Sequence, residues 1–216
     1  PLACLLILLL CSCAGDRRKP TLDTPTASPA PAAGHTVVEP DQFFPVSSDA
    51  RWEYDVTMTV QDKTWRGSMV REVVDRARLN DAQYYKVKTT YTDIPGQKSE
   101  TSFLRIAETG VKVIDAADPE LEPVTEVPFP LELGQTWTTR TSDALRRFRA
   151  VALTDVRAGG RRYEKCIQIS FEAVPKRAGA VILRVDSFYA RGVGLVKRIA
   201  RSQQPRIRIE MVLQPR

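Results

Sequence analysis

The residue types that carry most protein chemistry are scarce in this chain and poorly placed for it. One histidine, His35, occurs in 216 residues. That excludes a multi-histidine metal cage and leaves any Ser-His-Asp site dependent on a single residue. His35 lies in a Pro-, Thr- and Ala-rich stretch without hydrophobic period, where an imidazole is simply solvated. Three of the four cysteines, Cys4, Cys11 and Cys13, fall within the first thirteen residues. Cys166 alone remains for the body of the chain, so neither an intrachain disulfide nor a cysteine zinc site can form there. It lies out of step with Ile167, Ile169 and Phe171. With no histidine nearby its thiol lacks the usual activating base, and a structural role is expected. Asp115, Asp118, Glu120, Glu122 and Glu126 gather around Pro119, Pro123, Pro128 and Pro130. Their oxygens suit Ca²⁺, but the Asp-x-Asp-x-Asp-Gly spacing is absent, and a solvated acidic loop is expected. No Gly-x-x-x-x-Gly-Lys-Ser loop and no Gly-x-Ser-x-Gly elbow occurs. No catalytic residue, metal ligand or cofactor is therefore assigned.

Charge and aromatic residues are the better candidates for binding. Residues 1–144 carry 15 Lys and Arg against 21 Asp and Glu, whereas residues 145–216 carry 17 against 5. The halves are thus −6 and +12, which gives the net +6 of the whole chain. Arg146, Arg147 and Arg149 surround Phe148, Arg161 and Arg162 precede Tyr163, and Arg206 and Arg208 share one face of a strand. In a cytosolic protein such basic strands with aromatics suggest nucleic acid. For a chain held outside the cytoplasm, anionic phospholipid, lipopolysaccharide phosphates or an acidic envelope protein are the expected partners, with no nucleic acid. The bland alternative is that the basic half pairs across strands with the acidic half. The three tryptophans, Trp52, Trp65 and Trp137, are the residues expected to line or plug a ligand cavity.

The elements that must position these residues have a period of two. From Trp52 to Val60 every even position is apolar and every odd one polar, the pattern of a strand with one face buried. Tyr85, Val87, Thr89 and Tyr91 alternate with Lys86, Lys88 and Thr90. Glu108-Thr109-Gly110, Ala158-Gly159-Gly160 and Gly192-Val193-Gly194 read as hairpin turns between such runs. Only Ala144 to Ala152 competes as a helix. About ten strands without intervening helices predict an all-β fold, an antiparallel meander forming a curved, partly open barrel or sandwich. One internal echo stands out: Phe44-Pro45-Val46 and Phe129-Pro130-Leu131 each lead to a tryptophan eight residues after the Phe, Trp52 and Trp137. Each reads as a turn whose Phe and Trp plug one end of the sheet.

Ahead of the strands, Leu2 to Leu10 is an apolar run without a charge. Spanning a bilayer takes about 20 such residues, so this run has the length of a signal-peptide core, with its charged start upstream of Pro1. Leu10-Cys11-Ser12-Cys13 resembles the processing site of bacterial lipoproteins, with Cys11 a departure from the small residue usual at its position. The resemblance implies cleavage before Cys13, lipidation of Cys13, and sorting to the outer membrane because Ala14, not Asp, follows. Several acyl chains, at about 0.8 kcal/mol per buried methylene, make a lasting anchor. The expected organisation is a signal peptide over 1–12, a lipidated and Pro-rich tether over 13–41, and one β-domain over 42–216. A Pro-rich tether extends by about 3.1 Å per residue.

The layout also resembles a class of bacterial secreted β-proteins of unknown function. These carry Pro-x-x-x-Gly-x-x-Trp lead-ins and a near-terminal Tyr-Ala-Pro-Gly-Val-Gly-Leu-Val-Lys hairpin. Pro130, Gly134 and Trp137 match the lead-in, and Tyr189-Ala190-Arg191-Gly192-Val193-Gly194-Leu195-Val196-Lys197 matches the hairpin, with Arg191 in place of Pro. The resemblance implies the fold and no catalytic residues. The expected function is a non-enzymatic, membrane-anchored binding or assembly module for an amphiphile or an outer-membrane partner. In it Trp52, Trp65 and Trp137 serve the cavity, and Arg146, Arg147 and Arg149 meet an anionic headgroup. The alternative is an envelope glycan hydrolase whose Asp/Glu pair, about 5 to 9.5 Å apart, comes from distant strands.

Overall fold

The alternation seen from Trp52 to Val60 produces what it predicts. Tyr54, Val56 and Met58 are buried, and their odd-numbered neighbours face outward. The computed structural model describes residues 37–38, 42–116, 122–140, 144–175, 183–203 and 205–215. The expected signal segment, Cys13, His35, Asp118 and Glu120 lie outside the described residues. Every regular element named below is a strand. They are β1 (Val37–Val38), β2 (Arg51–Val60), β3 (Lys63–Leu79), β4 (Ala82–Thr92), β5 (Glu100–Ala107), β6 (Gly110–Asp115) and β7 (Val124–Pro128). The second half follows as β8 (Leu131–Glu132), β9 (Thr136–Arg140), β10 (Ala144–Ala158), β11 (Arg161–Pro175), β12 (Leu183–Ala190), β13 (Gly194–Gln203) and β14 (Arg206–Leu213). The segment from Ala144 to Ala152, which could be read as a helix, lies wholly within β10.

Twelve strands make one antiparallel sheet in the order β7-β6-β5-β4-β3-β2-β14-β13-β12-β11-β10-β9. The chain begins at the centre with β2 and walks outward to the edge strand β7. It then crosses to the opposite edge at β9 and walks back to β14, which pairs with β2. The two edges meet, because the indole N–H of Trp137 on β9 donates to the carbonyl of Glu126 on β7 at 3.2 Å. The sheet is therefore nearly closed into a barrel, which removes most of its unpaired edge. β1 pairs with β8 in a separate two-stranded ladder, so the first strand precedes the domain start expected at residue 42.

Register sets the inner wall. Met58, Ile209, Ala200, Val185, Phe171, Phe148 and Trp137 stand opposite one another in a row across seven strands. Within it the ring of Trp137 stacks on Phe148 at 5.3 Å and Phe148 leans on Phe171 at 5.0 Å. Burying a side chain of this size contributes about 1.5–3 kcal/mol, so this row is a principal source of stability.

Two features depart from the sequence reading for identifiable reasons. The Pro-rich acidic crossing is not wholly loop: Val124–Pro128 forms edge strand β7, where a proline is tolerated because one side of the strand is unpaired. Cys166, expected to face away from Ile167, is as fully buried as Ile167. An extra residue on β11, with Lys165 in the left-handed region at φ 49°, makes a bulge there, and both side chains join the core.

Candidate functional site

Two places bring chemically capable side chains together: a groove at one mouth of the barrel and a polar cluster on the inner wall. The mouth carries the β3–β4, β5–β6, β10–β11 and β12–β13 turns, along with the start of β2 and the end of β14. The lead-in from Gln42 to Ala50 crosses it, fixed by Gly192 N–H to the Gln42 carbonyl at 2.5 Å and Val73 N–H to the Ala50 carbonyl at 2.8 Å. Beneath the lead-in Phe44 packs on Tyr189 at 4.8 Å and meets Phe129 at 6.2 Å. The two echoed Phe-Pro lead-ins thus converge at one end of the barrel. Their tryptophans behave alike too, since Trp52 donates its indole N–H to the Val193 carbonyl at 3.2 Å, much as Trp137 does to Glu126.

Between these parts lies an open groove of about 710 Å³, walled by Phe44, Trp52, Tyr85, Ile106, Tyr163 and Val193. Arg51 and Arg161 stand on its lining. Arg51 is already engaged by Glu53 at 2.9 Å and Glu72 at 3.1 Å. The volume is that of a small-molecule site, and its aromatic and aliphatic walls alternate with the polar side chains of Ser47, Arg51, Arg161 and Gln214, which suits a ligand with both a hydrocarbon and a polar part.

The inner-wall cluster centres on Arg198. Its position between Val196 and Ala200 on β13 turns it inward, where its Nε donates to Ser187 Oγ at 3.0 Å. Its Nη2 lies 3.9 Å from Glu126 across the barrel, which ties the β7 edge to the opposite wall. Tyr54 donates to the Leu195 carbonyl at 3.0 Å, and burial pushes its phenol well above the ordinary tyrosine range. Burial raises Tyr189 likewise, and Tyr91 is pushed up to about 12 by burial and by the Glu100 carboxylate. Glu100 is itself raised, by burial first and by the charge of Asp115. Arg71 and the Tyr91 hydroxyl beside it work in the opposite direction. For Arg198 burial opposes the charge, but Tyr189 and Glu126 outweigh it and keep the guanidinium protonated. These groups satisfy one another within the wall, an arrangement that braces the barrel.

The residues singled out in the sequence are scattered. Trp52 alone of the three tryptophans lines the groove; Trp137 packs in the aromatic row, and Trp65 faces Met58 on the inner wall. Alternation along β10 divides the arginines, with Arg146 on the face of Phe148 and Arg147 and Arg149 exposed on the other. The groove residues come from seven separated segments and share no local spacing. Arg198 did carry a signal, a charge at an inward position of the alternation between Val196 and Ala200, whereas Glu126, next to the buried Val127 at a register shift of β7, carried none. The positive surplus of the second half persists in three dimensions. Four of its five carboxylates, Asp155, Glu172, Asp186 and Glu210, are each paired to basic residues of that same half.

Cys166 belongs to neither place. Its Sγ–H points to the Tyr163 carbonyl at 3.5 Å, and burial raises its pKa to about 11. At pH 8 only about 10⁻³ of it is thiolate. In the chain from residue 37 onward, a thiol reagent at pH 8 is expected to modify Cys166 at least ~100-fold more slowly in the native state than in denaturant. The native rate should climb as pH rises toward the raised pKa. Equal rates in the two states would contradict the buried placement.

Fold and groove together define the class: an all-antiparallel meander barrel, nearly closed, with an aromatic open mouth. Among solved structures it is similar to an exported protein with a YmcC-like fold from Bacteroides fragilis. That match has a TM-score of 0.53 and 13% identity over 80% of this chain and 97% of the other. A lipoprotein from Parabacteroides distasonis aligns over 80% of this chain and 96% of its own, with 11% identity and a TM-score of 0.44. No protein-family model and no curated protein matches the chain.

Proposed function

We propose that this chain is a lipid-anchored envelope protein that binds an amphiphile non-enzymatically, taking its hydrocarbon part into the groove at the barrel mouth. The observation that carries this reading is the groove itself, an open volume of about 710 Å³ between aromatic walls. Anchoring rests on the apolar run before Leu10-Cys11-Ser12-Cys13, with Cys13 as the acylated residue and Ala14 favouring the outer membrane. The exported character of the Bacteroides protein with the same fold supports an envelope location. Carriage of a ligand on the inner wall has less support, because the aromatic row and the Arg198 cluster occupy that space.

The test is native mass spectrometry of residues 37–216 purified from a bacterial envelope fraction. A co-purifying fatty acid or phospholipid is expected, and Val193→Asp, which sets a carboxylate in the apolar wall, should strip it. A bare mass for the unaltered chain, with no uptake of added lysophospholipid, would overturn amphiphile binding and leave a protein-contacting module.

A further inference from the structure

The row through Trp137, Phe148 and Phe171 divides the inner wall, with the Arg198 cluster on its mouth side. One step beyond it, at the end of the barrel away from the mouth, register sets a further row. It runs through Thr139, Arg146, Ala173 and Leu183 on β9 to β12, then Ser202, Ile207 and Val60 on β13, β14 and β2. Each of these lies two residues along its strand from a member of the aromatic row and so shares the inner face. Of the three arginines expected to meet an anionic headgroup, Arg146 alone belongs to this row. It is half-buried, and among the described residues it has no hydrogen-bond or ion-pair partner. Thr139, directly opposite, is 8% exposed, and its Oγ1 is buried without a partner. The Oγ of Ser202, also 8% exposed, is in the same condition.

Buried hydroxyls are ordinarily hydrogen-bonded, so two orphans in one row with an unpaired guanidinium mark a place where an outside group completes the bonding. All three groups donate. The row holds no carboxylate that could serve them, and Lys63, its one other charge, is exposed beyond Val60. Directly opposed residues of an antiparallel ladder bring their Cβ atoms to about 5 Å, which lets Thr139 and Arg146 meet one ligand group. Ser202 stands three strand spacings from Arg146, about 14 Å along the sheet, and the inward curl of the wall shortens the direct path. The ligand must be an acceptor, and a single guanidinium balances a single negative charge. Its paired donors match the two oxygens of a carboxylate and leave a lone pair on each for a hydroxyl. Ala173 and Leu183, between Arg146 and Ser202 in the row, offer a short apolar bed for the carbon chain that carries it. We propose that Arg146, Thr139 and Ser202 form a carboxylate-binding site at the end of the barrel away from the mouth. The site is separate from the groove and stands whether or not the amphiphile reading holds.

The test uses the chain from residue 13 onward carrying Cys13→Ser, which keeps every described residue. Butyrate, its neutral isostere butyramide and inorganic phosphate are each titrated at low salt while the amide resonances of Thr139, Arg146 and Ser202 are followed by NMR. Butyrate is expected to shift all three saturably and to bind at least about tenfold tighter than butyramide. Arg146→Gln should remove that preference, whereas Arg147→Gln, one residue along but on the outer face, should keep it. Thr139→Val and Ser202→Ala should each weaken butyrate about threefold or more without lowering the denaturation midpoint, since neither hydroxyl has an internal partner to lose. If Arg146→Gln does not fold, these two variants carry the test. Equal binding of butyrate and butyramide would overturn the site, as would a preference left unchanged by Arg146→Gln or by Thr139→Val and Ser202→Ala combined. Equal losses in Arg146→Gln and Arg147→Gln would overturn it too, as general charge attraction. Phosphate that binds tighter than butyrate and depends on Arg146 would overturn the carboxylate assignment in favour of a phosphate ligand.

Discussion

Phe148→Ala is expected to lower the free energy of unfolding by about 3–5 kcal/mol, the range for removing a large buried aromatic. Phe148 sits in the middle of the inner-wall row, stacked on Trp137 at one side and leaning on Phe171 at the other. Truncation leaves a cavity that neither neighbour can fill, because both are fixed by strand register and Trp137 is also held by its bond to the Glu126 carbonyl. The loss has a topological consequence. β9 is an edge strand of five residues, and its contact with β7 closes the barrel. Weakening the Trp137 stack should therefore loosen the seam before the sheet melts. The check is a denaturant titration followed by tryptophan fluorescence and by far-ultraviolet dichroism. A midpoint shift under ~1 kcal/mol, or a seam with unchanged amide protection in hydrogen exchange, would contradict this account.

Much of the fold is readable in the sequence because antiparallel sheets with a wet outer face write their geometry as alternation. β2, the hairpin at Thr109–Gly110, the Gly159–Gly160 turn and the echoed Phe-Pro lead-ins all sit where composition places them. The misreadings have a common origin in local breaks of that rule. β7 escapes notice because its Pro128 and Glu126, amid the prolines and acids that precede it in sequence, look like loop, although an edge strand tolerates both. Cys166 is buried beside a bulge at Lys165, and a bulge has no reliable sequence mark when the left-handed residue is a lysine. The site is harder still. Tyr85, Ile106, Tyr163 and Val193 lie far apart in sequence and meet only because the sheet curls. The basic cluster at Arg146, Arg147 and Arg149 was conspicuous in one dimension, and alternation sends its members to opposite faces. The cluster at Arg161 and Arg162 is divided in the same way, since Arg162 stands opposite Arg157 and Arg161 opposite the buried Ala158.

The second large effect concerns the charge that braces the barrel from within. Arg198→Ala should cost about 2 kcal/mol, and Glu126→Gln less. Breaking a fully buried pair costs about 3–5 kcal/mol, but water reaches both side chains here, 27% of Arg198 and 35% of Glu126, and that access screens the interaction. What remains comes from the stranded Glu126 carboxylate, the lost bond to Ser187 Oγ at 3.0 Å, and the lost packing of the arginine stem. Arg198→Met separates these contributions, since it keeps the stem volume and removes the charge. If the unpaired carboxylate dominates, Arg198→Met should be strongly destabilising alone and largely rescued by Glu126→Gln. If packing dominates, Arg198→Met should be mild and Glu126→Gln should add to it. A double-mutant cycle on denaturant midpoints reads the coupling directly. A coupling above about 1 kcal/mol assigns the pair the task of tying the β7 edge to β13. A coupling near zero would show that Trp137 and its bond to the Glu126 backbone close the barrel without help from charge.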